Sequence, residues 1–237
     1  MGHLQRALLL AECCNTSLIL HQNPTAIPNS ANIISPPNEL MEPWIRAFLR
    51  QSSEHYDTLI VDSFPLGLFH ELSATDIQAF SHSILIARYL QSHRYSKYEE
   101  GCSFYSSVYY PYSQKYSEWS NHKHGIALGP LHRHVPIQFS GITHPLVCIG
   151  DPLKIPLRWR NTLPANTVYI NEYFSALPTA ERYFCVGAGY NLTWELYEHP
   201  VPVCHVPLEK RYDDQFHRAG LLGRSCTSYL ELQRFLG

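Results

Sequence analysis

Apolar residues recur along this chain in short blocks with two different periods. Leu4, Ala7, Leu8 and Ala11 stand at helical spacing and predict a helix over the first twelve residues. Ser17-Leu18-Ile19-Leu20 is a brief apolar run that suits a buried strand. Residues 22–39 hold four prolines and several asparagines and read as loop. A helix over Pro43–Gln51 follows, with Pro43 in its first turn, where the missing N–H has no helical partner to lose. Thr58-Leu59-Ile60-Val61-Asp62 is a β-rich run ended by an acidic residue, with Ser63-Phe64-Pro65-Leu66-Gly67 as the loop beyond it. That is the form of a parallel strand delivering polar groups at its carboxyl edge. Ser83–Ala87 repeats the strand pattern, and Gly125–Pro130 reads as the last strand of the first half.

The pattern then restarts. Pro145–Ile149, Thr167–Ile170, Tyr183–Val186 and Pro202–Val206 predict strands, with a helix over Asn191–Glu198 between the last two. Strands alternating with helices in both halves predict two α/β domains with parallel sheets. The Pro136-containing segment from His132 to Ile142 is the expected linker, so the boundaries are residues 1–135 and 136–237. Residues 89–119 carry eight of the sixteen tyrosines and few aliphatic residues, and yield no element. Their rings could stack sugars or nucleobases, but a packed surface of an irregular insertion is the preferred reading.

Composition narrows the classes. Eighteen basic residues against twenty acidic ones give a net charge of -2, which offers no electrostatic footprint for nucleic acid. The longest apolar stretches are far too short to span a bilayer, which leaves peripheral membrane contact open. The amino terminus does not have the order of a signal peptide. Seven cysteines without a paired spacing favour reduced thiols, hence a cytoplasmic location. Fourteen histidines include His122 with His124 and His132 with His134, alternations that could form half a metal site on a strand. No carboxylate or cysteine stands at ligand spacing nearby, so no metal and no cofactor is expected.

The stretch richest in chemistry runs from Tyr183 to Ala219. A strand ends at Val186, turns through Gly187-Ala188-Gly189-Tyr190 and enters a helix near Asn191. Such a helix start offers unpaired N–H groups and a partial positive charge, which favour a phosphate. By itself the turn reads first as an ordinary strand-to-helix connection, since small turn residues are common there and the third glycine of the dinucleotide fingerprint is missing. Glu195, one turn into the helix, can accept from ribose hydroxyls or stand as a solvated carboxylate. Asp213 and Asp214 can bind sugar hydroxyls or serve as an N-cap.

Gly187-Ala188-Gly189-Tyr190-Asn191, Glu195, Pro200 to Pro202, Pro207 and Asp213-Asp214-Gln215 with Ala219 resemble the carboxyl-terminal signature of MurG-like glycosyltransferases. Gly2-His3-Leu4-Gln5-Arg6 is similar to the helix start of the same superfamily. Asp62–Gly67 with Glu71-Leu72 is similar to a motif of a bacterial subgroup of predicted glycosyltransferases. The resemblance implies two Rossmann-like domains of the GT-B type. It implies that Ala188, Gly189, Tyr190 and Asn191 approach the donor's diphosphate or nucleoside, that Glu195 binds ribose, and that Asp214 and Gln215 contact the donor sugar. His3 would lie at an interdomain cleft as general base or phosphate contact, with Asp62 and Gly67 on the acceptor side. The implied reaction moves a sugar from a nucleotide-sugar to an acceptor hydroxyl without a metal. A hydrolase or epimerase on the same scaffold and a non-catalytic nucleotide-sugar binder are the alternatives.

Two departures accompany the resemblance. The family begins with a buried strand and a glycine-rich turn ahead of Gly2-His3, so in the expected fold either that first strand is missing from a truncated start or other elements fill its place. Where the second domain should carry a Gly-Gly-Ser-like phosphate loop, this chain has Ile149-Gly150-Asp151-Pro152. A carboxylate there would repel a diphosphate, and proline removes a donor.

Overall fold

A computed structural model describes residues 7–11, 14, 17–19, 32–34, 41–67, 70–87, 95, 97–111, 125–132, 134–138, 141–171, 176–197, 199–211 and 213–237. The chain divides into two compact units, Met1–His132 and Arg133–Gly237. Every strand pairing within the named sheets is parallel. This is an α/β architecture consistent with two Rossmann-like domains.

In the first unit, residues 7–11 are helical, and β1 (Ser17–Ile19) pairs with β2 (Asn32–Ile34). The proline-rich segment is therefore not loop throughout. At three residues the strand is short, and the surrounding prolines and asparagines hide it from the apolar pattern. Helix α1 (Met41–Ser53) packs Ile45 and Leu49, one turn apart, against Phe80. Strands β3 (Thr58–Ser63), β4 (His82–Ala87), β5 (Ser107–Tyr110) and β6 (Ile126–Ala127) lie side by side in chain order. Between β3 and β4 stands α2 (Ala74–Gln78), closed by a reciprocal Ser73–Asp76 capping box.

The tyrosine-rich stretch does contain elements. Helix α3 (Tyr98–Cys102) and β5 fall within it, and β5 buries Val108 and Tyr110 on one face. Aromatic residues do there the packing that leucine and valine do elsewhere, which is why an aliphatic pattern misses the strand. Two of the phenols also hold the loop after β3. The Tyr105 hydroxyl donates to Pro65 O at 2.6 Å. Buried Tyr95 donates to Gly67 O at 2.7 Å and accepts from Leu66 N at 3.1 Å.

The second unit is a four-stranded sheet in the order β12 (Val203–Val206), β11 (Tyr183–Val186), β8 (Val147–Ile149), β9 (Val168–Ile170). Both of its faces are covered, which is why its strands read as continuous apolar runs rather than alternations. Leu146, Cys148, Phe184, Val186, Cys204 and Val206 pack on one face with Leu232 of α7 (Tyr229–Leu236). Val147, Ile149, Tyr183, Cys185 and Val203 pack on the other with Leu196 of α5 (Tyr190–Tyr197). The expected linker takes part in this unit: β7 (Ile137–Gln138) pairs with β10 (Leu177–Pro178). Short helices α4 (Leu157–Arg160) and α6 (Gln215–Leu221) complete it. No helix among the described residues is long and apolar enough to cross a membrane.

Candidate functional site

The order of the second sheet fixes where a ligand would sit. The chain lays down β8, moves to β9 on one side, then returns to place β11 and β12 on the other. The direction of winding reverses between β8 and β11, and open α/β sheets bind ligands outside the carboxyl ends of the strands at such a switch point. The two loops that leave those ends are Gly150-Asp151-Pro152 and Gly187-Ala188-Gly189.

Glycine is required at both loop starts. Gly150 has φ +101°, and a Cβ there would stand 2.7 Å from Val186 O. Gly187 has φ +113°, and its N–H donates to Val206 O at 2.8 Å, carrying the ladder to the edge of the sheet. Gly189 differs, because a Cβ added there would meet nothing within 4 Å. That end of the turn borders open space.

The rest of the turn is held by buried side chains. Gln215 Oε1 accepts from Ala188 N at 2.8 Å and from Leu208 N at 3.0 Å. Arg218 Nη1 donates to Ala188 O, and the same guanidinium pairs with Asp213. His205 Nδ1 lies 3.1 Å from Gly187 O. Since a carbonyl only accepts, this imidazole carries its proton on Nδ1. His205, Gln215 and Arg218 are 0%, 5% and 1% exposed, so these are interior contacts rather than surface ones. Burial drives the His205 pKa down to about 4, with Arg224 and Arg218 pushing the same way and the Gly187 carbonyl opposing.

The candidate residues divide accordingly. Ala188 is buried and its amide is taken by Gln215, whereas Gly189 is open. Tyr190, Asn191 and Glu195 all lie on α5 and are buried, Asn191 and Glu195 one turn apart on the same face. Asp214 is the N-cap of α6 and accepts from His217 N at 2.9 Å. Ala188, Gly189, Gln215 and the start of α5 are thus brought together within the second unit. Asp62 and Gly67 stand in the first unit at the carboxyl end of β3. There Gly67 has φ +81° and packs against the buried Glu71 carboxyl. His3 lies outside the described residues, as do His122 and His124. No group of three metal-ligating side chains occurs among the described residues.

Asp151 caps the 3-10 turn Pro152–Lys154 through Leu153 N at 2.9 Å and stands 3.9 Å from Lys154 Nζ. Its carboxylate thus has both a local hydrogen bond and a neighbouring cation. His205 and Arg218 are the residues that motif reading passes over. The visible signals are a histidine inside the apolar run Val203–Val206 and an arginine three residues after Gln215, one helical turn on.

Comparison with models of protein families, with curated proteins and with solved structures finds no match to this chain.

Proposed function

We propose that this protein is a GT-B-type glycosyltransferase that moves a sugar from a nucleotide-sugar to an acceptor hydroxyl without a metal. The observation that carries the reading is the open Gly189 end of the strand-to-helix turn at the switch point. Asn191 and Glu195 follow it on one face of α5. In this reading the backbone at Gly189 and the amino end of α5 stabilise the diphosphate, and Glu195 pairs with ribose hydroxyls. Gln215 spends its oxygen on the turn, which leaves its amide NH2 for a donor-sugar hydroxyl. The acceptor oxygen attacks the anomeric carbon, the bond from that carbon to the diphosphate oxygen breaks, and the acceptor proton passes to His3. Asp62 and Gly67 belong to the acceptor side.

A specific observation favours a second reading, a nucleotide-sugar binder without transfer activity. The Ala188 amide is already occupied by Gln215, and Asp151 and Pro152 replace donors in the other loop. Thermal-shift screening against UDP-, TDP- and GDP-sugars tests both. A stabilising shift is expected with one of them, and none at millimolar ligand removes both. Release of free nucleotide only when an acceptor is present marks the transferase. Release without an acceptor marks a hydrolase. The Glu195→Ala variant is expected to weaken nucleotide binding by roughly 1–3 kcal/mol; unchanged affinity takes Glu195 out of the site.

A further inference from the structure

We infer that His205, Gln215 and Arg218 are positioning residues for nucleotide binding, which together hold the Gly187-Ala188-Gly189 backbone so that its open Gly189 end is presented to a phosphate. The inference rests on the nucleotide reading above and adds to it which buried groups set the geometry of the turn. A turn with glycine at two of three positions is permissive, and a ligand that had to order it would lose affinity to the entropy of doing so. Here each polar group of the closed end is engaged. Gly187 O meets His205 Nδ1, Ala188 N meets Gln215 Oε1, and Ala188 O meets Arg218 Nη1. The anchors come from two different elements, β12 and α6, and α6 is tied in again by Asp213 on Arg218. Rotation of the Ala188 peptide would break bonds on both sides of it at once. Ala188 is therefore not a phosphate donor, and ligand contact falls to the Gly189 end.

His205 is the position at which this can be separated from folding. In His205→Asn the side-chain amide can stand where Nδ1 stands and still donate to Gly187 O. His205→Leu fills much of the same space with no donor. The full-length protein is compared in three forms, wild type, Asn and Leu. Two readouts are taken: hydrogen–deuterium exchange of the peptide spanning residues 186–191, and calorimetric affinity for UDP, TDP and GDP. Expected are faster exchange in the Leu variant, binding of the preferred nucleotide weakened roughly fivefold, the factor one buried hydrogen bond is worth, and recovery of both in the Asn variant. Wild-type exchange and affinity in the Leu variant would overturn the inference while leaving the nucleotide reading standing. So would faster exchange without any loss of affinity, or an Asn variant as impaired as Leu. If wild type binds no nucleotide at millimolar concentration, the reading of function falls first and the positioning role falls with it.

Discussion

Acidification should destabilise the second unit through one histidine, and the size of the effect can be worked out. His205 is fully buried with Nδ1 on Gly187 O, and its pKa is lowered to about 4. In the unfolded chain the same group titrates near its ordinary value of about 6.5. Between those two values the unfolded state binds a proton that the native state refuses, so stability falls as pH falls. The contribution is fully present above the unfolded pKa and is lost progressively toward the native one. The whole shift corresponds to about 3 kcal/mol, and moving from pH 8 to pH 5 forfeits about 2 kcal/mol of it. Urea titrations at the two pH values, read by pulsed hydrogen exchange in peptides of the second unit, measure this in wild type and in His205→Leu. Carboxylates and other histidines contribute to both proteins, so the difference between the two pH responses isolates residue 205. Wild type should lose about 2 kcal/mol more than the variant. Equal losses would mean that the imidazole accepts its proton without leaving its site, and the picture of a neutral histidine pinning the turn would be wrong.

The two loop glycines should respond in opposite ways. Gly150→Ala, with φ +101° and Val186 O 2.7 Å from the new methyl, should lower the urea midpoint by the equivalent of about 1–3 kcal/mol. Gly189→Ala, whose Cβ meets nothing, should leave stability within about 0.5 kcal/mol of wild type yet weaken nucleotide binding; an unfolded Gly189→Ala protein would contradict the open turn. Arg224 donates to Leu196 O at 2.7 Å and to Tyr197 O at 2.8 Å at the end of α5. Arg224→Ala should therefore cost about 1–3 kcal/mol in thermal unfolding, and an unchanged midpoint would deny that cap. A thiol reagent followed by mass spectrometry should label exposed Cys14 quickly and Cys148 only on unfolding, since burial pushes the Cys148 thiol up to about 12. Rapid native labelling at Cys148 would show that the core opens.

How much of the fold the sequence discloses depends on which residues carry the burial. Tyr183-Phe184-Cys185-Val186 and Val203–Val206 announce themselves because both faces of the second sheet are covered and every position must be apolar or paired. Thr58–Asp62 and Ser83–Ala87 are equally plain. The misses have two causes. Asn32–Ile34 is short and surrounded by prolines, and Ser107–Tyr110 buries an aromatic where an aliphatic pattern looks for valine. Helices α6 and α7 each carry a side-chain cap at the amino end. Asp214 takes His217 N, and Ser228 with Glu231 closes a capping box. The Ser228–Glu231 spacing is written in the sequence, yet it gains meaning only once the apolar face of α7 is seen against Cys148 and Phe184.

The candidate site was legible as a neighbourhood and not as a set of contacts. Ala188 and Gln215 fall in one candidate set although 27 residues separate them. The difference between a ligand contact and an internal bond lies in which end of a carboxamide points where, and no spacing rule encodes that. A glutamine has an acceptor and a donor 2–3 bonds apart, so it can hold a backbone amide with one end and still offer the other to a ligand. Asp214 has no donor at its tip, so while it caps α6 it can meet a ligand only as a further acceptor. His205 shows the converse. A histidine in an apolar strand looks like an accident of composition, because only the three-dimensional arrangement reveals that the strand beside it ends in a carbonyl needing a donor. Sequence reading finds the groups that would touch a substrate by their chemistry. The groups that orient those groups are ordinary residues in ordinary elements, and their role follows from topology, here from the reversal that sets β8 beside β11 and leaves β12 to brace the turn from behind.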